Sequence, residues 1–343
     1  KEVASFREQV RTFLVPLCQK LYDAQTKRLG VDHVMWHDEK MVFPDGNAEP
    51  AGNDEFMVKA AQRMYHEISP ETGEFIDFMI DHELMDLQNK PGKASTGYMT
   101  YLPSLKAPFV FSCFNHTIFD MQVLTHELGH AFAGYMAMRS QPISDYYSES
   151  TDIAEIHSMS MEQFAYPYAE WFFGDQADKF RFAHLQEALT FVPFGVAVDE
   201  FQHICYTHPE LTPKERTYQW HLLEKKYMPW RKYDHDAFME RGGYWYHKLH
   251  IYLYPFYYIN YTLTTMGAME FKKKYAENKQ ATWQDYLNLC KTGGSRSYLE
   301  TLRYANLANP FEAGSVERAC GYAAKILLEQ IAEQNVAEGT HQA

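Results

Sequence analysis

The chain has 343 residues, 46% of them hydrophobic and 22% charged, enough to bury a sizeable core and ordinary for a globular protein. Its formal net charge of −13 and the lack of any basic stripe argue against a nucleic-acid partner and against an anionic membrane surface. No apolar run approaches the roughly 18 residues that a membrane-spanning helix needs.

Five cysteines (Cys18, Cys113, Cys205, Cys290, Cys320) are odd in number and scattered, with no CxxC pair. They read as free thiols in a reducing, cytoplasmic compartment rather than as a disulfide framework. The N-terminus carries no basic–apolar–small signal pattern. It begins with Lys1, so a processed or truncated piece of a longer chain is expected.

Most segments read as helix. Residues 2–28 place Val3, Phe6, Val10, Phe13, Leu14, Leu17 and Leu21 at spacings of three and four, one apolar face. Residues 40–55, with Pro44, Asp45, Gly46, Pro50 and Gly52, read as an exposed loop. Ser69 followed by Pro70 opens a helix over 69–88 whose pattern runs through Phe75, Phe78, Met79 and Leu84. Residues 94–114 break the helical rule. Gly97, Pro108 and a run of aromatic and β-branched residues predict a small hairpin or sheet there. Later, Thr212 with Glu215 makes a capping box, and Thr282 with Asp285 looks like a related start for a helix near Leu289. Roughly 335–343 reads as a frayed tail.

The strongest motif lies directly after the predicted sheet. His126-Glu127-Leu128-Gly129-His130 is an HExxH. On a helix, positions i and i+4 share a face, so both imidazoles can meet one Zn²⁺ while Glu127 reaches a water as general base. The flanks (Val123, Leu124, Leu128, Ala131, Phe132) are apolar, so the helix is buried and its histidines need partners. A second stripe supplies them. Asp152, Glu155, Ser158 and Glu162 follow spacings of three, three and four among Ile153, Ala154, Ile156, Met159 and Met161. Buried acids must be neutralised, and Glu155 as third zinc ligand does so, with Asp152, Ser158 or Glu162 bonding the ligands from behind. Three protein ligands leave a position for water, the mark of a catalytic site. Zinc lowers that water's pKa to roughly 7, and Glu127 takes its proton.

With these residues in view the chain resembles the thimet oligopeptidase family, most closely its oligoendopeptidase F branch. The resemblance rests on the HExxH and on Glu155-Ile-His-Ser-Met-Ser-Met-Glu162. It extends to the approach from Ala107 to Asn115, to His250-Ile-Tyr-Leu-Tyr-Pro-Phe-Tyr-Tyr258, to Gly293-Gly294-Ser295 and to Asn309-Pro310-Phe311. It covers about residues 60–330 of a chain taken as one catalytic region over 1–343. The resemblance implies a mainly α, zincin-like (neurolysin-like) helical ellipsoid with a deep substrate channel and a small β-sheet beside the zinc helices. It implies one Zn²⁺ per chain and short unstructured peptides as substrates. It gives His250, Tyr257 and Tyr258 a catalytic role in holding substrate and stabilising the oxyanion, with Tyr261 beside them, one of the adjacent tyrosine pair being core. Phe111 and Asn115 are expected to touch substrate, and residues 108–114 to pair with its backbone as an added strand.

Two departures stand out. The family's additional N-terminal helical region is missing, so a separate or cleaved N-terminal chain is a candidate partner. His116 stands where the branch often has Gly, and reads as a subfamily difference rather than a ligand. The function expected is zinc-dependent endopeptidase action on short peptides. A carboxypeptidase or dipeptidyl carboxypeptidase of the same fold is the alternative within the class, and an inactive zincin-like peptide-binding protein the one outside it. Glu127, the base, is present, which weighs against the latter. A structural zinc protein would want four ligands, often Cys, and has no such set here.

Overall fold

The computed structural model describes residues 1–341, with side chains through Gln334, so the tail expected over roughly 335–343 falls outside the residues described in full. The chain is mainly helical and carries one three-stranded sheet, the fold class that the resemblance implies. It divides into two compact units. One comprises Lys1–Gly46, Phe182–Met266 and Pro310–Ala343, the other Asn47–Arg181 and Gly267–Asn309. Among the described residues no helix is long and apolar enough to cross a membrane.

In the first unit, the opening helical stretch runs from Glu2 to Leu29 and buries Phe6, Val10, Leu14, Leu17 and Leu21, the expected face. Val10–Leu14 within it is a π turn, closed by Val15 N–H on Val10 C=O. Pro16 lies just beyond and has no N–H to give to Thr12, so widening the preceding turn accommodates the ring. The capping box of Thr212 and Glu215 opens helix Pro213–Tyr227. From Asp234 to Tyr258 the chain changes character. It makes only short turns of helix, Ala237–Glu240, Gly243–His247 and His250–Leu253, before entering helix Ile259–Glu277. The loop over 40–55, which leaves the first unit after Gly46, is only partly exposed, because Val42, Phe43, Ala48 and Pro50 are buried.

The second unit packs around Phe75, Phe132, Phe164, Trp283 and Tyr286, whose rings meet at 5.0 to 6.3 Å. Helix Pro70–Asp81 starts on Ser69 with a reciprocal cap from Thr72, as expected, but stops seven residues before the predicted end at 88. Glu83 turns left-handed (φ 53°) and Leu84 N–H closes on Met79 C=O. Leu84 stays buried outside the helix, and the reversal frees Met85–Asp86 to pair as β1. Helix Lys279–Thr292 begins three residues before Thr282. Asn278 is the cap, its side chain accepting from Ala281 N–H, so the Thr282–Asp285 start is misplaced by about one turn.

The predicted sheet over 94–114 is present as a hairpin of β2 (Tyr98–Leu102) and β3 (Ala107–Phe111), with β1 parallel to the far side of β3. The order β1-β3-β2 makes β3 central. Beyond it, Ser112 and Phe114 N–H donate to Asp86 and Leu87 C=O. The stretch 108–114, expected to offer an edge to substrate, therefore has its backbone paired within the sheet. The free edge on the hairpin side is β2. Both hairpin strands pack on helix Ile118–Ser140, which carries the HExxH.

Candidate metal centre

The histidine helix opens on a cap built from its own sequence. Thr117 Oγ1 accepts from Phe119 N–H, and buried Asp120 accepts from Asn115 N–H (2.8 Å) and His116 N–H (2.7 Å). Folding those two amides onto one carboxylate leaves His116 left-handed at φ 63°, the region that glycine enters without strain.

Helix Ile118–Ser140 crosses helix Thr151–Phe164 at Gly129. A Cβ on Gly129 would lie 2.7 Å from Ser158 Cα and 3.1 Å from the His157 carbonyl oxygen. The two backbones are in contact there. His126 and His130 flank Gly129 at i−3 and i+1, while Glu155 and Glu162 flank Ser158 at i−3 and i+4, so the closest point of the crossing is ringed by these four side chains.

His126 Nε2 and His130 Nε2 lie 3.0 and 3.3 Å from the same Glu155 oxygen, and the donor atoms of all three residues fall within 4.8 Å of one another. The set of two imidazoles and one carboxylate could hold a metal ion, and its chemistry fits Zn²⁺. Glu162 Oε1 stands 2.6 Å from His126 Nδ1. A carboxylate can only accept, so Nδ1 carries a proton, and Nε2 is the nitrogen turned toward Glu155 and the centre. Burial alone would lower the His126 pKa, but the hydrogen bonds it donates to Glu155 and Glu162 hold it well above the usual imidazole value. Burial would raise that of Glu155, and its bonds from His126 and His130 hold it well below the usual carboxylate range. Ser158 Oγ donates to Glu155 Oε2 at 3.0 Å. Asp152, the remaining member of the stripe, bonds Ser150 at the head of its own helix.

Glu127 projects beside this set and is buried. Burial raises its pKa, against the pull of His126 and His130 and with the help of Glu155 and Glu162. Its carboxylate is walled by Gly97, where a Cβ would come within 3.2 Å of Glu127 Oε1. Phe111, at the end of β3, stacks on Tyr98 at 5.0 Å with Lys93 Nζ 4.4 Å from its ring centre. Asn115 is exposed, its side chain accepting from Thr117 Oγ1.

One buried pair had no signal in the motif. Glu149 lies 3.0 Å from His157 Nδ1, both essentially without exposure, and Tyr286 OH donates to the His157 carbonyl. Burial would raise the Glu149 pKa, and the charge and hydrogen bond of His157 bring it below its ordinary value. The position of His157 inside the apolar side of its helix was the available hint.

In the first unit, His250, Tyr257, Tyr258 and Tyr261 come together as a ring cluster. His250 lies 5.1 Å from Tyr258, 6.1 Å from Tyr257 and 6.2 Å from Tyr261. Tyr258 is buried against Phe191 and Phe194, whereas Tyr257 and Tyr261 are half-buried. Of the adjacent pair, Tyr258 is the one in the core.

Comparison with known proteins bears on the family and the fold. The profile of peptidase family M3 matches residues 59–321. PZ peptidase A with inhibitor 2 is 48% identical and superimposes with a TM-score of 0.91 over 96% of this chain and 58% of that one. A protein described as an oligoendopeptidase F from Bacillus anthracis str. Ames is 42% identical, with a TM-score of 0.84 over 97% of this chain and 56% of that one. A curated oligoendopeptidase F homolog of Borreliella burgdorferi is 26% identical over 237 residues, 65% of this chain and 38% of that protein. The chain thus spans a little over half the length of these solved relatives and less of the curated one.

Proposed function

The chain belongs to peptidase family M3, and from that premise we propose that it hydrolyses internal bonds of short unstructured peptides as a zinc-dependent oligoendopeptidase. The observation that carries this reading is the convergence of His126, His130 and Glu155 donor atoms within 4.8 Å, with Glu127 on the helix of the two histidines. His126, His130 and Glu155 hold the metal. A bound Zn²⁺ supplies Lewis acidity, polarising the scissile carbonyl and lowering the pKa of a water to roughly 7.

The side chains do the rest. Glu127 accepts the proton of the attacking water and returns it to the leaving nitrogen. Glu162 fixes the tautomer of His126, and Ser158 fixes the rotamer of Glu155. Asp152 supports them only indirectly, by holding Ser150 at the helix start. His250, Tyr257 and Tyr261 bind the peptide and donate to its carbonyl oxygen as negative charge develops, with Tyr258 as their packed support. Phe111 and Asn115 contact substrate side chains. The backbone of the peptide adds to β2, the free edge, whose approach at Gly97 passes next to Glu127. Five free cysteines fit a reducing, cytoplasmic setting.

The test is cleavage of a mixed set of short peptides, with products identified by mass spectrometry, for the wild type, for Glu127→Gln and for a zinc-chelated sample. Internal cuts that vanish in both controls are expected. Removal of only one or two C-terminal residues would replace this reading with the carboxypeptidase one.

A further inference from the structure

Two cations approach the ring of Phe194 in the first unit. Arg231 lies 5.8 Å from its centre and is held by both oxygens of Glu39, at 2.8 and 2.6 Å. Lys248 Nζ lies 5.6 Å from the same ring and 4.5 Å from that of Tyr258. It is half-buried, and among the described residues no carboxylate or carbonyl stands within hydrogen-bond distance of its ammonium group. Lys40, the other cation acting on Lys248, already has Glu187 at 3.1 Å.

A half-buried ammonium without a counter-ion is costly, and ring faces offset only part of that cost. Burial, and then Lys40, push the Lys248 pKa down, so its surroundings as they stand oppose the charge. An arriving anion would offset both. The ammonium is also well placed for one. It shares the ring of Tyr258 with His250, two residues along the chain, and Leu249 between them is exposed. In a chain of net charge −13, a cation left unneutralised on such a segment stands out.

We propose that Lys248 Nζ, framed by Phe194 and Tyr258, is a binding point for a substrate carboxylate, so that peptides presenting one are preferred over their neutral counterparts. The inference rests on the assignment of the His250–Tyr261 segment to peptide binding. The carboxylate could come from the peptide's C-terminus or from an Asp or Glu side chain, and the arms of the test separate these.

The experiment measures peptide affinity by fluorescence anisotropy on the 343-residue chain carrying Glu127→Gln, so that nothing is cut. One pair of labelled peptides differs as free acid against C-terminal amide. A second pair, amidated throughout, differs as internal Glu against Gln. In one of the pairs the carboxylate form should bind about tenfold tighter, as a charge-assisted hydrogen bond allows. Lys248→Met should bring that ratio to near one, and Lys248→Arg should restore it. The pair that responds identifies the source. Ratios near one in both pairs, or a ratio that Lys248→Met leaves intact, would overturn the proposal. A thermal melt of each variant separates lost binding from lost folding. Cleavage of the amidated neutral peptide by wild type reports separately on the hydrolase reading, which can therefore fail while the affinity ratios stand.

Discussion

The crossing of helices Ile118–Ser140 and Thr151–Phe164 and the segment from Asp234 to Tyr261 are built on opposite plans. At the crossing the backbones touch, and His126, Glu155, Ser158 and Glu162 find partners among themselves. Along the other segment, Asp234, His235 and Phe256 sit at positive φ, and Leu249, Tyr252, Leu253 and Tyr254 are exposed. Its rings meet at mixed angles, stacked between His250 and Tyr257 and between Trp245 and Tyr252, edge-on between His250 and Tyr261. On the proposed function, the difference is a division of labour. Groups that do chemistry gain from a fixed geometry supplied by packing, since orientation is then paid before the reaction. Groups that grip a variable peptide gain from apolar surface still available for burial.

The largest effect that tests this division is at Glu127. Glu127→Gln should lower kcat on the order of 10³-fold, the range for removal of a general base, with metal content and melting temperature unchanged. Tyr257→Phe or Tyr261→Phe should act more weakly and raise KM as well. Comparable losses of kcat alone at all three positions would erase the distinction between a chemical and a gripping region.

Gly129 is where the crossing can be broken physically. A methyl group there meets Ser158 Cα at 2.7 Å and the His157 carbonyl at 3.1 Å, neither of which is a flexible side-chain end. Gly129→Ala should destabilise the protein by about 2–3 kcal/mol, the upper part of the range for overpacking, read from the urea midpoint. It should also release metal more readily. An unchanged midpoint would mean that the helices are free to move apart, and that fixed packing is not what aligns His126, His130 and Glu155.

A gentler probe is Glu162→Gln, which keeps the shape and removes the charge behind His126. Metal affinity measured by chelator competition should fall about 10- to 100-fold, as for other partners that orient a ligand, while kcat at saturating metal changes little. An equal fall from Asp152→Asn would contradict the observed pairing of Asp152 with Ser150.

The same contrast explains what could be read without coordinates. His126, Glu127, His130 and Glu155 were legible because helical periodicity maps short sequence spacings onto shared faces, and because buried acids and histidines demand one another. The sheet was legible through Gly and Pro punctuation. That β3 is central was not, since strand order depends on Met85–Asp86, a two-residue strand beyond the helix of Pro70–Asp81. The left turn at Glu83 that ends this helix carries no Gly to announce it. The π turn at Val10–Leu14 had a cue in Pro16, but a widened turn keeps the same buried face and leaves the apolar pattern intact. Glu149 with His157, and Lys248 without a partner, depend on tertiary neighbours, which no local spacing encodes.

Lys272 offers the smallest effect and the sharpest control on the Lys248 argument. It too lies over a tyrosine, with Nζ 3.3 Å from the ring centre of Tyr166, and among the described residues it has no carboxylate partner. Unlike Lys248 it is buried, 9% exposed, so a ligand cannot reach it and the missing counter-ion should register as a stability cost. Burial, and then Arg181, bring its pKa from 10.5 to about 7. Between those two values the unfolded chain holds a proton that the folded chain lacks, so stability rises with pH across that window. Below about pH 7 both states are protonated and the cost is present in full. Lys272→Met should therefore stabilise the protein at pH 6 by about 2 kcal/mol, the ring of Tyr166 offsetting part of a larger burial cost. The gain should shrink steadily as pH approaches 10. A difference that stays constant across that range would show that Tyr166 alone keeps the ammonium charged, and a ring would then suffice at Lys248 as well.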